Sequence, residues 1–246
     1  MERNVAIITG GSAGIGKALV KLYASKGFAV YSISRSENEG LKLPGIEQVK
    51  FDLSDSLGIE AMFNEIWNKI DVPGLSAITL INNAGTLGTI SRIENIEPET
   101  IQNAIALNFT APMIMSSLFI KKTAGLEISK KIVNISSGAA SNPYYGWTTY
   151  CTTKAALDMM VKTIGVEQQT QDYGVKIISV YPGVVETAMQ DQIRKTSEED
   201  FLDVQRFRNL KENDQLANPD DVAQKIFTLE MKDEIETGGI IDVREL

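Results

Sequence analysis

Short apolar runs alternate with segments of helical periodicity along the whole chain. Runs suited to buried strands occur at 5–8, 29–34, 49–51, 78–81, 132–135, 175–180 and 238–243. The segments between them repeat apolar residues every three or four positions, which is typical of amphipathic helices. Strands that alternate with helices predict a parallel sheet covered on both faces. We therefore predict an α/β fold: one doubly wound Rossmann domain over residues 1–246, with a seven-stranded parallel sheet.

A glycine-rich turn joins the first predicted strand to the first helix. Gly10, Gly14 and Gly16 stand here in the order Thr-Gly-x-x-x-Gly-Ile-Gly, with Ser12 and Ile15 between them. Glycines let the backbone approach a pyrophosphate, and a helix N-terminus offers free N–H groups and partial positive charge. The turn therefore predicts a dinucleotide site. Small residues after the fourth strand leave room for a flat cofactor: Asn83, Ala84 and Gly85.

Polar residues end the second and third predicted strands. An acidic residue after the second strand holds the ribose 2′-hydroxyl of NAD, whereas an arginine accommodates the 2′-phosphate of NADP. Arg35 at this position favours NADP(H), and the alternative is a surface arginine at a strand end. Asp52 and Leu53 follow the third strand, where the carboxylate can meet an adenine amino group. Equally, Asp52 or Ser54 can cap a helix that starts near Leu57.

A long helical region from about 98 to 123 contains two residues that are unfavourable inside a helix, Asn108 and Pro112. Pro112 has no N–H to donate to the carbonyl of Asn108, four residues earlier. The freed carbonyl is a candidate water site that would connect Lys154 with solvent.

The stretch 132–154 carries three polar groups of complementary chemistry, Ser137, Tyr150 and Lys154. A helix that opens near Thr149 would place positions 150 and 154 on one face. A neighbouring ammonium favours the phenolate and is expected to lower the pKa of the phenol toward the range of a general acid or base. The Ser137 hydroxyl would bind a substrate oxygen beside it. The alternative is an ordinary solvated pair on a helix surface.

Jointly these motifs resemble the short-chain dehydrogenase/reductase family from end to end. They are Thr9-Gly10-x-x-x-Gly14-Ile15-Gly16, Asn82-Asn83-Ala84-Gly85, Asn108, Ser137, Tyr150-x-x-x-Lys154 and Pro182-Gly183. The resemblance implies a nicotinamide cofactor, a dimer or tetramer, and a catalytic tetrad of Asn108, Ser137, Tyr150 and Lys154. It also implies cofactor contacts from Tyr150, Lys154, Pro182, Gly183, Val185 and Thr187.

A narrower likeness lies in the segment 137–154 and in 189–194, which resemble the bacterial benzil reductases that form (S)-benzoin, relatives of sepiapterin reductase. It implies that NADPH reduces one carbonyl of an aromatic 1,2-diketone. Predicted substrate contacts are Ser137, Tyr144, Tyr145, Trp147, Tyr150 and Met189. The three aromatic residues at 144–147 would form a wall beside Tyr150, or they only pack the loop. Alternatives are a reductase of a pterin, sugar or acyl carbonyl, and a non-catalytic NADP(H) sensor.

A polar segment from 188 to 216 separates the sixth strand from the last helix. Such an insertion is a mobile substrate lid or a solvated helix pair, and we favour the lid.

Composition removes several other classes. The formal charge of −8 argues against a general affinity for nucleic acid or anionic membranes. With no histidine, a Ser-His-Asp hydrolase and a histidine metal site are excluded. One cysteine, Cys151, permits no intrachain disulfide and no cysteine metal cluster, and without a histidine base we assign it to helix packing. We expect a cytoplasmic protein without a signal peptide or a membrane span, since no apolar run approaches ~20 residues.

Overall fold

Seven strands form a single parallel sheet in the computed structural model, which describes residues 3–232 and 235–246. The strands are β1 Arg3–Thr9, β2 Ala29–Ser34, β3 Ile46–Lys50, β4 Leu75–Asn82, β5 Ser129–Ile135, β6 Lys176–Tyr181 and β7 Ile240–Asp242. Their order across the sheet is β3-β2-β1-β4-β5-β6-β7, and every neighbouring pair is parallel. The predicted doubly wound fold is therefore confirmed.

Helices connect the strands and cover both faces of the sheet. They are α1 Gly14–Ser25, α2 Ile59–Trp67, α3 Pro98–Ile105, α4 Ala111–Thr123, α5 Thr148–Gln169, α6 Ala188–Lys195, α7 Val204–Glu212 and α8 Pro219–Glu230. On one face, α2, α4 and α5 cover a core that includes Ile7, Phe63 and Phe119. On the other face, α1 and α8 cover a core that includes Ile8 and Leu19. Neighbouring residues of β1 thus enter opposite cores, which explains why the strands are continuously apolar.

The chain order reverses between β1 and β4, and a crevice forms there at the carboxyl ends of the strands. Hydrogen bonds tie the two strand ends together. The Thr9 hydroxyl oxygen accepts from the N–H groups of Asn83 and Ala84 at 2.9 and 3.1 Å, and the Asn83 side chain donates to the Thr9 carbonyl at 2.9 Å. The glycine-rich turn and the small residues after β4 therefore form one rigid edge.

The helical region predicted over 98–123 is real, but a π segment, Ala106–Thr110, interrupts it between α3 and α4. The N–H of Ala111 donates to the carbonyl of Ala106, five residues back. Pro112 follows with no N–H, so the α-helical ladder is broken at the place that the sequence indicated. The segment turns Asn108 toward the crevice instead of leaving it in a regular helix.

Residues 98–123 also have the length and hydropathy of a membrane span, which the search for long apolar runs in the sequence missed. Buried residues of α4, among them Met115 and Phe119, pack against the sheet. Such packing is typical of the core helix of a globular protein, and length and composition are weak evidence for a span.

Both capping alternatives for the second helix are wrong. The helix begins at Ile59, and its N-cap residue is Gly58, so neither Asp52 nor Ser54 is placed to cap it. Instead, the Asp52 carboxylate accepts hydrogen bonds from the N–H and the hydroxyl of Ser54 at 3.0 and 2.8 Å. These bonds close a local turn at the carboxyl end of β3. The adenine contact proposed for Asp52 stays a prediction.

Candidate active site

Tyr150 and Lys154 lie on one face of the first turns of α5, as their spacing predicts. Both side chains are buried, with exposed fractions of 7% and 5%. The ammonium nitrogen of Lys154 lies 5.8 Å from the centre of the Tyr150 ring. It donates to the carbonyl of Ile135, the last residue of β5, at 2.7 Å. The pair is therefore held at the carboxyl edge of the sheet and is not a solvated surface pair.

Ser137 reaches the same place from the end of β5. Its extended backbone starts a short turn, and its hydroxyl oxygen accepts from the N–H of Ala139 at 3.1 Å. The hydroxyl lies close enough to that of Tyr150 to lower the pKa of the phenol. The structure thus brings together the three polar groups that the sequence singled out.

The expected direction of the pKa shift at Tyr150 is wrong. Burial raises the pKa of the phenol to about 12, and the neighbouring Ser137 hydroxyl offsets this only in part. Burial likewise lowers the pKa of the Lys154 ammonium to about 8. The physical reason is that both groups leave water, while the ammonium is directed at a backbone carbonyl. The phenol is therefore a fully protonated acid at neutral pH.

Asp158, one turn further along α5, belongs to this site and was missed. Its carboxylate is buried; one oxygen accepts from the Tyr181 hydroxyl at 2.5 Å, and the other has no hydrogen-bond partner in the described part of the chain. The charge of Asp158 raises the pKa of Lys154 and opposes the larger effect of burial. The repeated four-residue spacing of 150, 154 and 158 was a usable signal for it.

Asn108 lies beside Lys154, although the two are distant in sequence. Its side-chain oxygen accepts from the N–H of Thr86 at 2.8 Å, and its amide nitrogen donates to the Thr86 carbonyl at 2.8 Å and to the Thr153 hydroxyl at 3.1 Å. A Cβ added at Gly85 would lie 3.4 Å from the Asn108 oxygen and 3.7 Å from the Lys154 nitrogen. Asn108 therefore joins the loop after β4, the π segment and α5.

A groove along the glycine-rich turn fits a dinucleotide. It is lined by residues predicted as cofactor contacts: Gly10, Gly14, Ile15, Asn83, Ala84, Gly85, Tyr150, Lys154, Pro182 and Thr187. A Cβ at Gly16 would lie 2.2 Å from the Gly10 carbonyl oxygen, so only glycine allows this close turn. The first turn of α1 has neither a side-chain cap nor an acidic residue, which leaves its N–H groups for a pyrophosphate.

Other predicted cofactor residues are distributed around this groove. Arg35 is exposed at the end of β2, close enough to Asp52 to lower its carboxyl pKa further, after the larger effect of the Ser54 hydrogen bonds. The Ser12 carbonyl accepts from the Asn38 side chain at 2.8 Å. The Leu53 side chain is buried in the core, so only its backbone can face a cofactor.

Gly183 and Val185 line a second cleft, which continues from the groove toward α6 and α7. It encloses about 830 Å³ including its open mouth, and Ser137, Tyr144, Trp147, Tyr150 and Met189 are among its lining residues. The Trp147 ring centre lies 5.5 Å from that of Tyr150 and 4.9 Å from that of Tyr144. The cleft thus has an aromatic wall beside the phenol.

Tyr145 is not part of this wall, which corrects its prediction as a substrate contact. Its side chain is 39% exposed and lies outside the residues that line the cleft. Gly146 after it has φ +80°, and a Cβ there would lie 2.1 Å from the carbonyl oxygen of Asp200. The turn at Gly146 therefore directs Tyr144 and Trp147 inward and leaves Tyr145 outside.

The segment 188–216 forms the helix pair α6 and α7, which covers the cleft. Apolar side chains on its inner side pack around Trp147: Ile193, Phe201, Val204 and Phe207. Phe201 stacks on Trp147 with ring centres 4.7 Å apart. Gln192 donates to the carbonyl of Gly88 at 2.8 Å across the cleft. The segment is therefore a helix pair with a buried inner side and not merely a solvated one. Its movement as a lid stays a prediction.

Comparison with known proteins identifies the family. A family model described as short chain dehydrogenase matches residues 4–198. The chain is 42% identical over 247 residues to a benzil reductase ((S)-benzoin forming) of Bacillus cereus, covering 97% of this chain and 98% of that protein. It is 33% identical to the sepiapterin reductase of Meriones unguiculatus, covering 97% of this chain and 95% of that protein.

Solved structures agree with this. The structure of ElxO with NADP bound superposes with a TM-score of 0.79 and 25% identity, covering 99% of this chain and 97% of that one. The structure of a 4-hydroxyisoleucine dehydrogenase complexed with NADH superposes with a TM-score of 0.81 and 25% identity, covering 98% of this chain and 96% of that one. The resemblance predicted from the motifs is confirmed: the chain belongs to the short-chain dehydrogenase family and is an oxidoreductase that acts on CH–OH and C=O groups with a nicotinamide cofactor.

Proposed function

We propose that the protein is an NADPH-dependent reductase of one carbonyl of aromatic 1,2-diketones, such as benzil to (S)-benzoin. The observation that carries the proposal is the shared cleft, in which the hydroxyls of Ser137 and Tyr150 face an aromatic wall of Tyr144 and Trp147. Aromatic rings favour a flat aryl substrate through edge and stacking contacts. The likeness to a benzil reductase supports the same substrate class.

The residues divide the chemistry between them. Bound NADPH would supply the hydride to the carbonyl carbon. The hydroxyls of Ser137 and Tyr150 donate hydrogen bonds to the carbonyl oxygen, and these bonds strengthen as negative charge develops there. Tyr150 then transfers its proton to that oxygen. The raised pKa keeps this proton on the phenol until an alkoxide, a much stronger base, forms beside it.

Lys154 and Asn108 complete this sequence. The Lys154 ammonium, fixed by the Ile135 carbonyl, stabilises the phenolate that Tyr150 leaves behind. The broken ladder at Pro112 gives the Asn108 carbonyl room for a water that returns a proton to Lys154 and Tyr150. Each group acts from a buried position, where electrostatic interactions are stronger than in water.

A substrate panel tests the proposal. NADPH oxidation is measured with benzil, sepiapterin and simple aliphatic ketones, and the chirality of the product is determined. We expect benzil to be the best of these and (S)-benzoin to be formed. The relationship to sepiapterin reductases makes a pterin the second candidate, and preferred turnover of sepiapterin would establish it. NADPH binding without turnover of any carbonyl compound would instead support a sensor.

The Tyr150→Phe variant tests the assigned acid. It should bind NADPH normally and lose turnover by roughly 10²–10⁴-fold, the usual contribution of a positioned acid or base. Near-normal turnover in this variant would remove Tyr150 from the role.

The preference for NADPH is assigned to Arg35. Its exposed guanidinium stands at the end of β2, where a 2′-phosphate would lie. Lys17, on the first helix and near Gly40, adds a second positive charge to this region. We expect Arg35→Asp to shift the ratio of kcat/KM for NADPH and NADH toward NADH, whereas Lys232→Asp, an exposed charge reversal elsewhere, leaves it unchanged. An unchanged ratio in Arg35→Asp would show that another residue recognises the 2′-phosphate.

We also propose that the protein works in the cytoplasm as a homodimer or homotetramer. An apolar groove runs along the outer face of α4 and α5, where Met113 and Met159 are 42% and 61% exposed. A second copy of the chain would cover these side chains. Light scattering of the wild-type protein and of Met159→Glu tests this. A wild-type monomer, or an unchanged oligomer in the variant, would contradict it.

A further inference from the structure

We propose that Arg206 binds an anionic group of the substrate, so that the preferred carbonyl compounds are aryl ketones that carry a carboxylate. The inference rests on the proposed carbonyl reduction and narrows its substrate class. Arg206 lies on α7 and lines the same cleft as Ser137 and Tyr150. The cleft therefore combines the two hydroxyls that bind the carbonyl oxygen, an aromatic wall and a cation.

Arg206 differs from the other arginines of the helix pair. Arg194 pairs with Glu186 at 3.0 Å, and Arg208 donates to two backbone carbonyls and pairs with Glu198 at 3.5 Å. Both thus hold the helix pair in place. Arg206 has no ion pair or side-chain hydrogen bond to any residue in 3–232 or 235–246, and its guanidinium carbon lies 5.7 Å from the centre of the Phe207 ring.

The other arginine of the cleft is already neutralised. Arg244 lines the same cleft but forms a forked ion pair with the Asp242 carboxylate, with Nε at 2.9 and 3.1 Å from its two oxygens. The net charge of this ion pair is close to zero. In a chain of net charge −8, Arg206 is therefore the arginine of this cleft whose charge is available to an anion.

A buried amide stands in the same cleft. Gln190 on α6 is 7% exposed, and its side-chain oxygen has no hydrogen-bond partner among the described residues. A buried amide oxygen without a hydrogen-bond donor is unfavourable unless a ligand supplies one. Because a half-turn exchanges its oxygen and nitrogen, Gln190 can donate to a carboxylate or accept from the hydroxyl of the product.

The aromatic wall and the cation together define the ligand. Tyr144, Trp147 and Phe207 suit an aryl ring, while the planar fork of Arg206 matches the two oxygens of a carboxylate. An aryl 2-oxo acid such as phenylglyoxylate has both features, and so does a benzil with a carboxylate on one ring. The two compounds place the anion at different distances from the reacting carbonyl.

The test compares each of these carboxylates with its neutral methyl ester. In the wild-type protein, we expect kcat/KM for at least one carboxylate to exceed that for its ester by 10-fold or more, and added salt to reduce this ratio. Arg206→Gln should reduce the ratio at least 10-fold. Arg206→Lys, which keeps the charge and loses the fork, should give an intermediate ratio.

Lys195→Gln is the matched control. Lys195 is an exposed cation on α6 that lies outside the lining of the cleft, so this variant should keep the wild-type ratio. Calorimetric titration with benzoate and with neutral benzamide adds a binding measurement without turnover. Only benzoate should lose affinity in Arg206→Gln.

The outcomes separate the two proposals. Equal kcat/KM for both carboxylates and their esters, or a preference that survives Arg206→Gln, would overturn the role of Arg206. If benzil is reduced normally in that case, the proposed carbonyl reduction stands. If no carbonyl compound is reduced by the wild-type protein, the proposed function itself fails.

Discussion

Asn108 offers the sharpest test of how the site is assembled, because its side chain joins three segments of the site while its main-chain carbonyl is the proposed water site. The Asn108→Asp substitution keeps size and shape but replaces the amide nitrogen with an oxygen. The remaining oxygen can still accept from the N–H of Thr86. The new oxygen, however, faces the Thr86 carbonyl at the position of a 2.8 Å hydrogen bond and the Thr153 hydroxyl at 3.1 Å.

The free-energy cost follows from these contacts. Two donated hydrogen bonds are lost, each with a net value of about 1 kcal/mol, and the carbonyl of Thr86 is left opposite an acceptor in a buried site. A carboxylate that is 1% exposed adds a desolvation penalty or must take up a proton. Together we expect a loss of roughly 3–5 kcal/mol. For a chain of this length, Tm should fall by about 6–20 °C.

Thermal unfolding followed by circular dichroism measures this loss, and Asn103→Asp on the exposed side of the same helical region is the control. The control should unfold within about 2 °C of wild type, as surface substitutions usually do. Turnover of Asn108→Asp below its Tm should fall, because the side chain no longer fixes the π segment that carries the proposed water site. A wild-type Tm for Asn108→Asp would refute the assigned hydrogen bonds.

Three further predictions concern other parts of the molecule. The Lys154 pKa of about 8 predicts that the rate of ketone reduction is constant at neutral pH and falls as the pH rises through about 8. The reason is that the neutral amine cannot stabilise a phenolate. A flat pH–rate profile up to pH 10 would contradict this. Gly16→Ala would place a Cβ 2.2 Å from the Gly10 carbonyl oxygen, and titration should show NADPH affinity reduced by at least about 10-fold. Glu230→Leu would leave the buried ammonium of Lys131 without its carboxylate at 3.8 Å. Urea unfolding should therefore show that the free energy of unfolding falls by about 3–5 kcal/mol. A fall below about 1 kcal/mol would count against a stabilising ion pair.

The sequence was most informative where function depends on neighbours along the chain. The turn at Gly10–Gly16 and the four-residue step from Tyr150 to Lys154 are local patterns, and the structure has both as expected. The break near Pro112 was also readable, because a missing N–H acts on a carbonyl four residues away. Local geometry of this kind needs no knowledge of tertiary packing.

What the sequence could not give depends on burial and on contacts between distant segments. The pKa of Tyr150 rises because α6, α7 and the aromatic loop remove water from it, and no local pattern reports that. The orientation of Tyr145 depends on the approach of Asp200 to Gly146, 54 positions earlier in the chain. The bond between Asp158 and Tyr181 likewise joins a helix to the end of a strand.

The contacts also separate the groups that carry out the reduction from those that choose its substrate. Lys154 is fixed by the backbone of β5, so its position depends on the sheet and not on the helix pair above it. Gln190 is on α6 and Arg206 is on α7. These helices are held by ion pairs such as that of Glu186 with Lys211 at 2.9 Å. Substitutions in this helix pair can therefore change which carbonyl compound is held while the hydroxyls of Ser137 and Tyr150 keep their geometry. On this reasoning the net charge of the preferred substrate is set by α7, and the reduction itself by the carboxyl edge of the sheet.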